Sequence, residues 1–516
     1  MIFGGLKNAG DILSRNARNF PNQRALIFED KSFTWIELEA RARAFARSLI
    51  YELNLEVGDR VALYARNSNQ WVEALFGLAQ AGLVSVTINY RLTADEASYI
   101  IQNSEAKAII CDESTREKSH RVQSMSSNLK HLITPEDFER LIDEGLKHAS
   151  FPDFEPNFKT PAMLLYTSGT TGFPKGAVYT HGSLLVGMFI HVHAIGSRRT
   201  HKVMLPSPLY SAAGIAGIYC AVYVASQISL INFDVETACK TIERDKITFT
   251  NLVPTTIQML LNSDARHKYD LGSLRVILYG GSPISESLIC QAMSEFSWCK
   301  FRQTFATTET GCAGTVLEPD DHLLAFRDPL KRHLFQSCGK PQVNVDVKLV
   351  DEDWQEVEIG EIGEIAVRTE ANMVGYWKNE TATSQIMKDG WIRTGDMAKR
   401  DLDGYFYLVD RKNDLIVTGA LNVYPSEVEK VIQNHPAVQE VAVIGVPSEK
   451  WGEEIKAVIV LKEGQKVGAD EIIKFCEDKL AGFKKPKSIE FVESLPRNPT
   501  GKILRRELRE IFSKQG

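Results

Sequence analysis

This sequence lacks a dominant sign of charge: 60 basic residues face 66 acidic ones, a net charge of -6, and nothing in that balance calls for a nucleic-acid partner. Paired cysteines are missing too. Cys111, Cys220, Cys239, Cys290, Cys299, Cys312, Cys338 and Cys476 form no Cys-x-x-Cys pair and no His/Cys metal spacing, so they read as scattered reduced thiols of a cytoplasmic protein. No internal repeat or low-complexity tract interrupts the chain. The N-terminal stretch MIFGGLKNAGDILSR has no apolar core of a secretory signal, so export is not expected. With 44% hydrophobic and 24% charged residues, disordered, collagen-like and coiled-coil chains are excluded, and 516 residues suffice for roughly two to four domains.

Charge is also absent from Val203 to Phe233, 31 residues that on length alone could cross a bilayer. Pro206 and Pro208 break the start of the run, and the rest leans on Ala, Gly, Ser and Tyr in place of Leu and Ile. The expected structure is a helix buried on all sides, followed by a strand at Ile228 to Phe233.

Helix-period segments such as WIELEARARAFARSLI and WVEALFGLAQAG alternate with short apolar runs such as RVALYA, LVSVTIN and KAIICD over the first 200 residues. The pattern resumes with ITFTNLV, RVILYG and FRQTFA. It indicates α/β architecture with substantially parallel sheets. Beyond about residue 340, VDVKLV, GEIAV and GYFYLVD are separated by Gly and Asp turns and predict an antiparallel-leaning subdomain. The last hundred residues read as a small α+β unit, with Ser426 to Glu429 as a capping box opening a helix. The polar run Asp410 to Asp414 is a candidate boundary. From Lys479 to Gly516 there are ten basic and four acidic residues, so an acidic chain ends in a basic tail.

The strongest local signal is YTSGTTGFPKG, Tyr166 to Gly176. Gly169, Gly172 and Gly176 allow close backbone approach, Thr167, Ser168, Thr170 and Thr171 offer hydroxyls, and Lys175 supplies a fixed positive charge. This composition grips phosphates. It is not the P-loop pattern, because Gly follows the lysine where Ser or Thr is needed and a strand-like AVY follows. Downstream, RVILYGG ends in a double glycine, and Ser282 with Pro283 reads as an N-cap and first helical residue. The turn leaves room for a flat base against Gly280 and Gly281. In QTFATTET, a carboxylate beside two threonines and an aromatic at a strand end suits Mg2+ held jointly with phosphates. No persuasive Ser/His/Asp or Cys/His arrangement is present.

With these motifs the chain resembles the adenylate-forming superfamily of acyl-CoA synthetases, luciferases and peptide-synthetase adenylation domains. The resemblance runs over about residues 10 to 512 and is carried, besides the loop, by YGGSPIS (279 to 285), QTFATTET (303 to 310), IRTGDMAKRDLDGYFYLVDRKND (392 to 414), TGALNVYPSEVE (418 to 429) and PRNPTGKILRREL (496 to 508). It implies an α/β fold: a large multi-subdomain N-terminal domain, 1–411, with two doubly covered sheets plus a distorted β-barrel, and a small mobile α+β C-terminal domain, 412–516. It implies ligation of a carboxylic acid to coenzyme A with ATP and Mg2+, through an acyl-adenylate. A second copy of the chain is a compatible partner; nucleic acid and a transmembrane segment are not implied.

By the same resemblance the loop from Thr167 through Lys175 holds the ATP phosphates, Gly280, Gly281, Ser282 and Gln303 border the nucleotide, and Phe305 stacks on adenine. Thr308 meets the α-phosphate, and Glu309 with Thr167 holds Mg2+. Asp396 accepts from the ribose, Arg411 reaches ribose or phosphate, and Lys502 bridges carboxylate and phosphate oxygens. Asn413 takes the hinge position, where Asp or Lys is more usual. Thr418, Gly419 and Ala420 line the pantetheine channel, with Ala420 in place of a common glycine, and Trp451, Phe483, Lys485 and Lys487 meet the nucleotide of coenzyme A. Tyr210, Ser211, Ala213, Gly214, Gly281 and Ala306 lie at the acyl group, with Ser211 where a His is common. The small residues there, Gly217 included, are expected to leave volume for an apolar medium-chain, alicyclic or aryl acid rather than acetate. A carrier-loading adenylation enzyme shares every ATP motif, a luciferase-like oxygenase shares the adenylation step, and a non-catalytic relative would have lost Lys175, Glu309 or Lys502.

Overall fold

The computed structural model describes residues 5–150, 157–167, 174–418, 421–448, 451–477, 479–497 and 503–512, with no side chain described at Asn413. The chain forms two compact units, Met1–Val347 with Ala366–Thr394, and Lys348–Ile365 with Gly395–Gly516.

Two large sheets build the first unit. One has nine strands, in the order Lys340–Pro341, Gly314–Leu317, Lys300–Ala306, Val276–Gly280, Phe249–Leu252, Lys202–Leu205, Gln227–Leu230, Arg24–Phe28 and Lys31–Thr34. The six from Lys300–Ala306 to Arg24–Phe28 run parallel. The other sheet has six strands, in the order His131–Ile133, Ala108–Cys111, Arg60–Tyr64, Val84–Thr87, Pro161–Thr167 and Lys175–Thr180, of which only the last pair is antiparallel. All four residues of Val84–Thr87 and of Ala108–Cys111 are buried, as befits inner strands covered on both faces. Helices between the strands start where the sequence supplies a cap. Thr34 with Glu37, Thr93 with Glu96 and Thr134 with Asp137 each exchange side-chain and backbone hydrogen bonds at a helix N-terminus.

The uncharged run resolves into the strand Lys202–Leu205, the helix Ala212–Tyr223 and the strand Gln227–Leu230. Ile215, Ile218, Tyr219, Cys220, Ala221 and Val222 of the helix are buried. Among the described residues no helix is long and apolar enough to cross a membrane. The strand stops at Leu230, short of the Phe233 expected from composition.

Two helix starts differ from their sequence signals. The helix after the double glycine is Glu286–Glu295, capped by Ser285, whose hydroxyl accepts from Leu288 N at 3.3 Å; Ser282 and Pro283 belong to the turn that Gly281 makes at φ +80°. The helix Pro425–Gln433 has Tyr424 at its N-cap and no capping box. Ser426 is occupied elsewhere, its N–H donating to Asp410 Oδ2 at 2.8 Å and its hydroxyl to the Val409 carbonyl.

A third sheet orders Asp346–Val350, Ile362–Arg368, Trp391–Arg400 and Met387–Lys388, with Phe406–Arg411 antiparallel to Trp391–Arg400. The division of the chain falls within three of its strands, at 347/348, 365/366 and 394/395. The C-terminal sheet orders Leu421–Val423, Ile416–Thr418, Gly452–Leu461 and Val438–Ser448, with Ser488–Phe491 parallel to Gly452–Leu461. Its core joins Ile416, Val428, Ile432, Val443, Ile455 and Ile472. The terminal helix Arg505–Phe512 buries Leu508 and Phe512 against Ala442, Ile444 and Val458.

Candidate active site

Thr167 and Lys175 are cross-strand partners at the neck of the hydroxyl- and glycine-rich loop. The loop itself, Ser168, Gly169, Thr170, Thr171 and Gly172 included, lies outside the described residues. Tyr166 braces the neck. Its ring packs so close to Gly176 that a Cβ there would lie 2.9 Å from Tyr166 Cζ, and its Oη donates to Asn103 Oδ1 at 2.6 Å. A segment far along the chain widens this edge: Val178 N donates to Gly375 O, Val374 N to Val178 O and Trp377 N to Gly176 O, at 2.9, 3.0 and 2.8 Å. Tyr376 is thereby fixed beside the neck, with Lys175 Nζ 5.3 Å from its ring centroid.

Tyr376 also reaches the Thr308 loop. Its Oη donates to Glu309 Oε1 at 2.8 Å, while Met373 N donates to the Glu309 carbonyl at 2.9 Å. Burial and the Glu309 charge raise the Tyr376 phenol well above its ordinary range, so it stays protonated and a donor to the carboxylate. The other Glu309 oxygen has no partner among the described residues. The loop is rigid by construction. Thr310 Oγ1 donates to Ala313 O at 2.6 Å, Tyr179 Oη donates to the Thr308 carbonyl, and Gly311 turns at φ +64° where a Cβ would lie 2.2 Å from Ala371 O. Lys175, Thr308 and Glu309, far apart in sequence, are thus linked through Tyr376 and Tyr179, which no local spacing signals.

The remaining candidates of this unit occupy three places. Gly280 is pressed against the next strand, where a Cβ would lie 2.4 Å from Thr304 O, and Gly281 is exposed in its left-handed turn. Phe305 and Ala306 end the strand Lys300–Ala306, partly exposed, and Gln303 is buried with its Oε1 unpartnered among the described residues. Tyr210 packs edge-on to Tyr90 with centroids 5.7 Å apart, its Oη buried without a partner among the described residues and its pKa pushed up to about 12 by burial. Ser211 caps the helix Ala212–Tyr223: its hydroxyl accepts from Gly214 N at 3.2 Å and donates to Pro208 O at 2.7 Å. Ala213 is exposed.

Beside this loop an apolar cavity of about 40 Å³ opens between the helices His181–Ile195 and Ala212–Tyr223. Gly187, Met188 and His191 line it from one helix, Ala212, Ala216 and Tyr219 from the other, and Gly311 and Cys312 of the Glu309 loop join the lining. The room lies at Ala212 and Ala216. The volume expected at Gly214 and Gly217 is filled, because a Cβ at Gly214 would lie 2.1 Å from Pro208 O and one at Gly217 3.0 Å from Leu205 Cδ2. Burial holds the Cys312 thiol protonated, with a pKa pushed up to about 12, so it is a wall and not a nucleophile.

In the second unit Asp396 and Arg411 are cross-strand partners joined at 2.7 Å, with Asp396 buried. The turn at Gly395, φ +77°, is held by Glu364, which accepts from Gly395 N at 3.0 Å and from Lys412 Nζ at 3.3 Å. Thr418 is buried opposite Gly452, whereas Gly419 and Ala420 lie outside the described residues. Trp451 and Phe483 expose large aromatic faces, Lys485 is half-buried and Lys487 exposed. Lys502 lies outside the described residues, but the ends of its segment are joined: Arg497 and Ile503 bridge, and Leu504 N donates to Pro496 O at 2.8 Å.

The model of the AMP-binding enzyme family matches residues 13–377, and that of the AMP-binding enzyme C-terminal domain matches 427–502. A fatty acid–[acyl-carrier-protein] ligase of Streptomyces coeruleorubidus is 34% identical over 97% of this chain and 95% of its own. A feruloyl-CoA synthase of an Amycolatopsis species is 32% identical over 96% of this chain and 98% of its own. The crystal structure of an anthranilate CoA ligase in complex with anthranoyl-AMP superposes with a TM-score of 0.87 at 28% identity, covering 98% of each chain. The chain belongs to the AMP-binding enzyme family, within the adenylate-forming superfamily. It is an ATP-dependent, AMP-forming ligase with the large and small domains of that fold.

Proposed function

We propose that this enzyme activates an apolar medium-chain, alicyclic or aryl carboxylic acid and transfers the acyl group to coenzyme A. The supporting observation is the position of the cavity, whose lining includes Gly311 and Cys312 of the same loop that carries Thr308 and Glu309. An acid lying there with its apolar part between the two helices has its carboxylate toward the phosphate-binding residues. Its lining is matched to hydrocarbon or an aromatic ring. The likeness to ligases for fatty acids, feruloate and anthranilate supports the same range of acids.

In the proposed first half-reaction a carboxylate oxygen attacks the α-phosphorus of ATP and pyrophosphate leaves, giving the acyl-adenylate. In the second, the thiol of coenzyme A adds to the acyl carbonyl, loses its proton to solvent and expels AMP. No protein nucleophile enters. Lys175, Thr308 and Lys502 hold the phosphate oxygens and offset the charge that develops there, so catalysis is positioning and electrostatic stabilisation. The Glu309 carboxylate fits Mg2+: one oxygen is fixed by Tyr376, the other has no partner among the described residues, and a hard oxygen donor shared with phosphates is what this ion takes. Held by Glu309 and Thr167, the ion would supply charge neutralisation on the phosphates.

Both half-reactions use one phosphate site, so the segment 412–516 is proposed to rotate about Asn413, withdrawing Lys502 and admitting pantetheine past Thr418, Gly419 and Ala420. The place of Asn413 in the short turn Lys412–Asp414, between two strands, supports a pivot there. Exposed Trp451 and Phe483 with Lys485 and Lys487 suit an adenine bearing phosphates. Comparing thioester formation with coenzyme A against a phosphopantetheinylated carrier protein tests the acceptor. Faster transfer to free coenzyme A is expected; transfer to the carrier alone would assign the enzyme to carrier loading.

A further inference from the structure

His191 is the one ionisable nitrogen base among the residues that line the cavity. Its helix, His181–Ile195, otherwise buries mostly apolar and small side chains, and a residue that only filled space there would be Leu or Met, as Met188 is one turn earlier. The imidazole is 93% buried, at 7% relative exposure, and burial lowers its pKa to about 4. It is therefore neutral at ordinary pH, with one N–H and one lone pair. Nε2 lies 3.4 Å from the Gly311 carbonyl, an oxygen that can only accept, so Nε2 carries the hydrogen and Nδ1 is left as an acceptor. Nδ1 has no partner among the described residues. Of the other polar groups around the cavity, Tyr179 Oη is committed to the Thr308 carbonyl, Ser183 is held in the cap of its own helix by Thr180, and the Tyr219 hydroxyl on the opposite wall makes no hydrogen bond to His191.

Water can donate to this acceptor in the free enzyme, but an acid that displaces the water from the cavity leaves it unpaired unless the acid brings a donor of its own. We propose that His191 is a specificity residue of the acyl site, accepting through Nδ1 a hydrogen bond from an O–H or N–H group that the acid carries away from its carboxylate. The preferred substrates are then hydroxy- or amino-substituted members of the apolar class rather than plain hydrocarbon acids. This rests on the assignment of the cavity as the acyl site and adds the direction of its selectivity. The selectivity comes from what the unsubstituted acid leaves unpaired: a site built to bond a hydroxyl rejects the analogue that lacks it.

The test is acid-dependent ATP–pyrophosphate exchange with matched pairs: 3-phenylpropionate against its 4-hydroxy and 4-amino derivatives, and octanoate against hydroxyoctanoates. The wild-type enzyme is expected to favour a donor-bearing member in kcat/KM by about tenfold or more in at least one pair. In His191→Leu that ratio falls to about one, and in His191→Asn, which retains an acceptor oxygen, part of it returns. No preference in any pair, or a preference that survives in His191→Leu, overturns the proposal while exchange with unsubstituted acids leaves the ligase reading standing. Should His191→Leu not fold, the ratio in the wild type and in His191→Asn decides. Absence of exchange with every acid overturns the acyl-site assignment and this inference with it.

Discussion

Replacing Tyr376 by Phe removes one oxygen atom and nothing else that holds the loop. The ring is fixed by its backbone, with Tyr376 N donating to Thr383 Oγ1 at 2.9 Å and its neighbours paired to the strand Lys175–Thr180, so the packing against Lys175 Nζ survives. What is lost is the 2.8 Å hydrogen bond to Glu309 Oε1. A hydrogen bond to a charged group contributes about 1.5–3 kcal/mol. If it serves to orient the carboxylate for Mg·ATP, the loss appears as a roughly 10- to 100-fold fall in acid-dependent ATP–pyrophosphate exchange. The fall should be accompanied by a higher Mg2+ requirement, and the thermal midpoint should move little. Exchange measured over a Mg2+ series, wild type against Tyr376→Phe, reads both. A change below threefold at every Mg2+ concentration would refute the positioning of Glu309 by Tyr376, and a large fall in the thermal midpoint would show that the phenol is structural.

Arg505 joins the terminal helix to half-buried Glu429, with two contacts of 2.8 Å, and to Asp414 at 3.2 Å. Arg505→Ala leaves Glu429 without its cation and should cost about 3–5 kcal/mol of local stability; faster hydrogen exchange in Val438–Ser448 and Gly452–Leu461 checks it, and unchanged exchange would contradict it. Lys502→Ala should slow acyl-adenylate formation by about 100-fold or more while largely sparing thioester formation from supplied acyl-adenylate; equal loss in both half-reactions contradicts the role. Buried His181, His191 and His322 have pKa values lowered to about 4, against an ordinary value near 6.5. The unfolded chain therefore binds protons that the folded one refuses between these values. Stability is fully present above the unfolded value and falls as pH drops through that window, by about 2 kcal/mol per histidine at pH 5. Urea midpoints at pH 7 and pH 5 test the sign.

Much of the fold was legible because its strands are short and apolar and its helices carry period and caps. RVILYG, FRQTFA and ITFTNLV each became neighbouring parallel strands. Local signals failed where a distant group competed: Ser426 matches a capping box, but Asp410 takes its N–H. Ser282 with Pro283 looked like a helix start, but the left-handed turn at Gly281 moves the start to Ser285. In the site, Lys175 and Glu309 belong to recognisable motifs, whereas Tyr376 lies 67 residues from Glu309 and meets it only through strand pairing. His191, one of three histidines on a mostly apolar helix, is singled out only by the cavity beside it. Likewise Ser211 reads as a lost His, and only the structure shows it capping the helix that walls the cavity.

The most direct measurement is the product balance of a single assay in which enzyme, ATP and Mg2+ are incubated with carboxylic acids, first without and then with coenzyme A. The expected result is acid-dependent exchange of pyrophosphate into ATP without coenzyme A, and AMP, pyrophosphate and acyl-CoA in equal amounts once it is added. Formation of ADP, exchange that ignores the acid, or exchange that requires coenzyme A would contradict ligation through an acyl-adenylate.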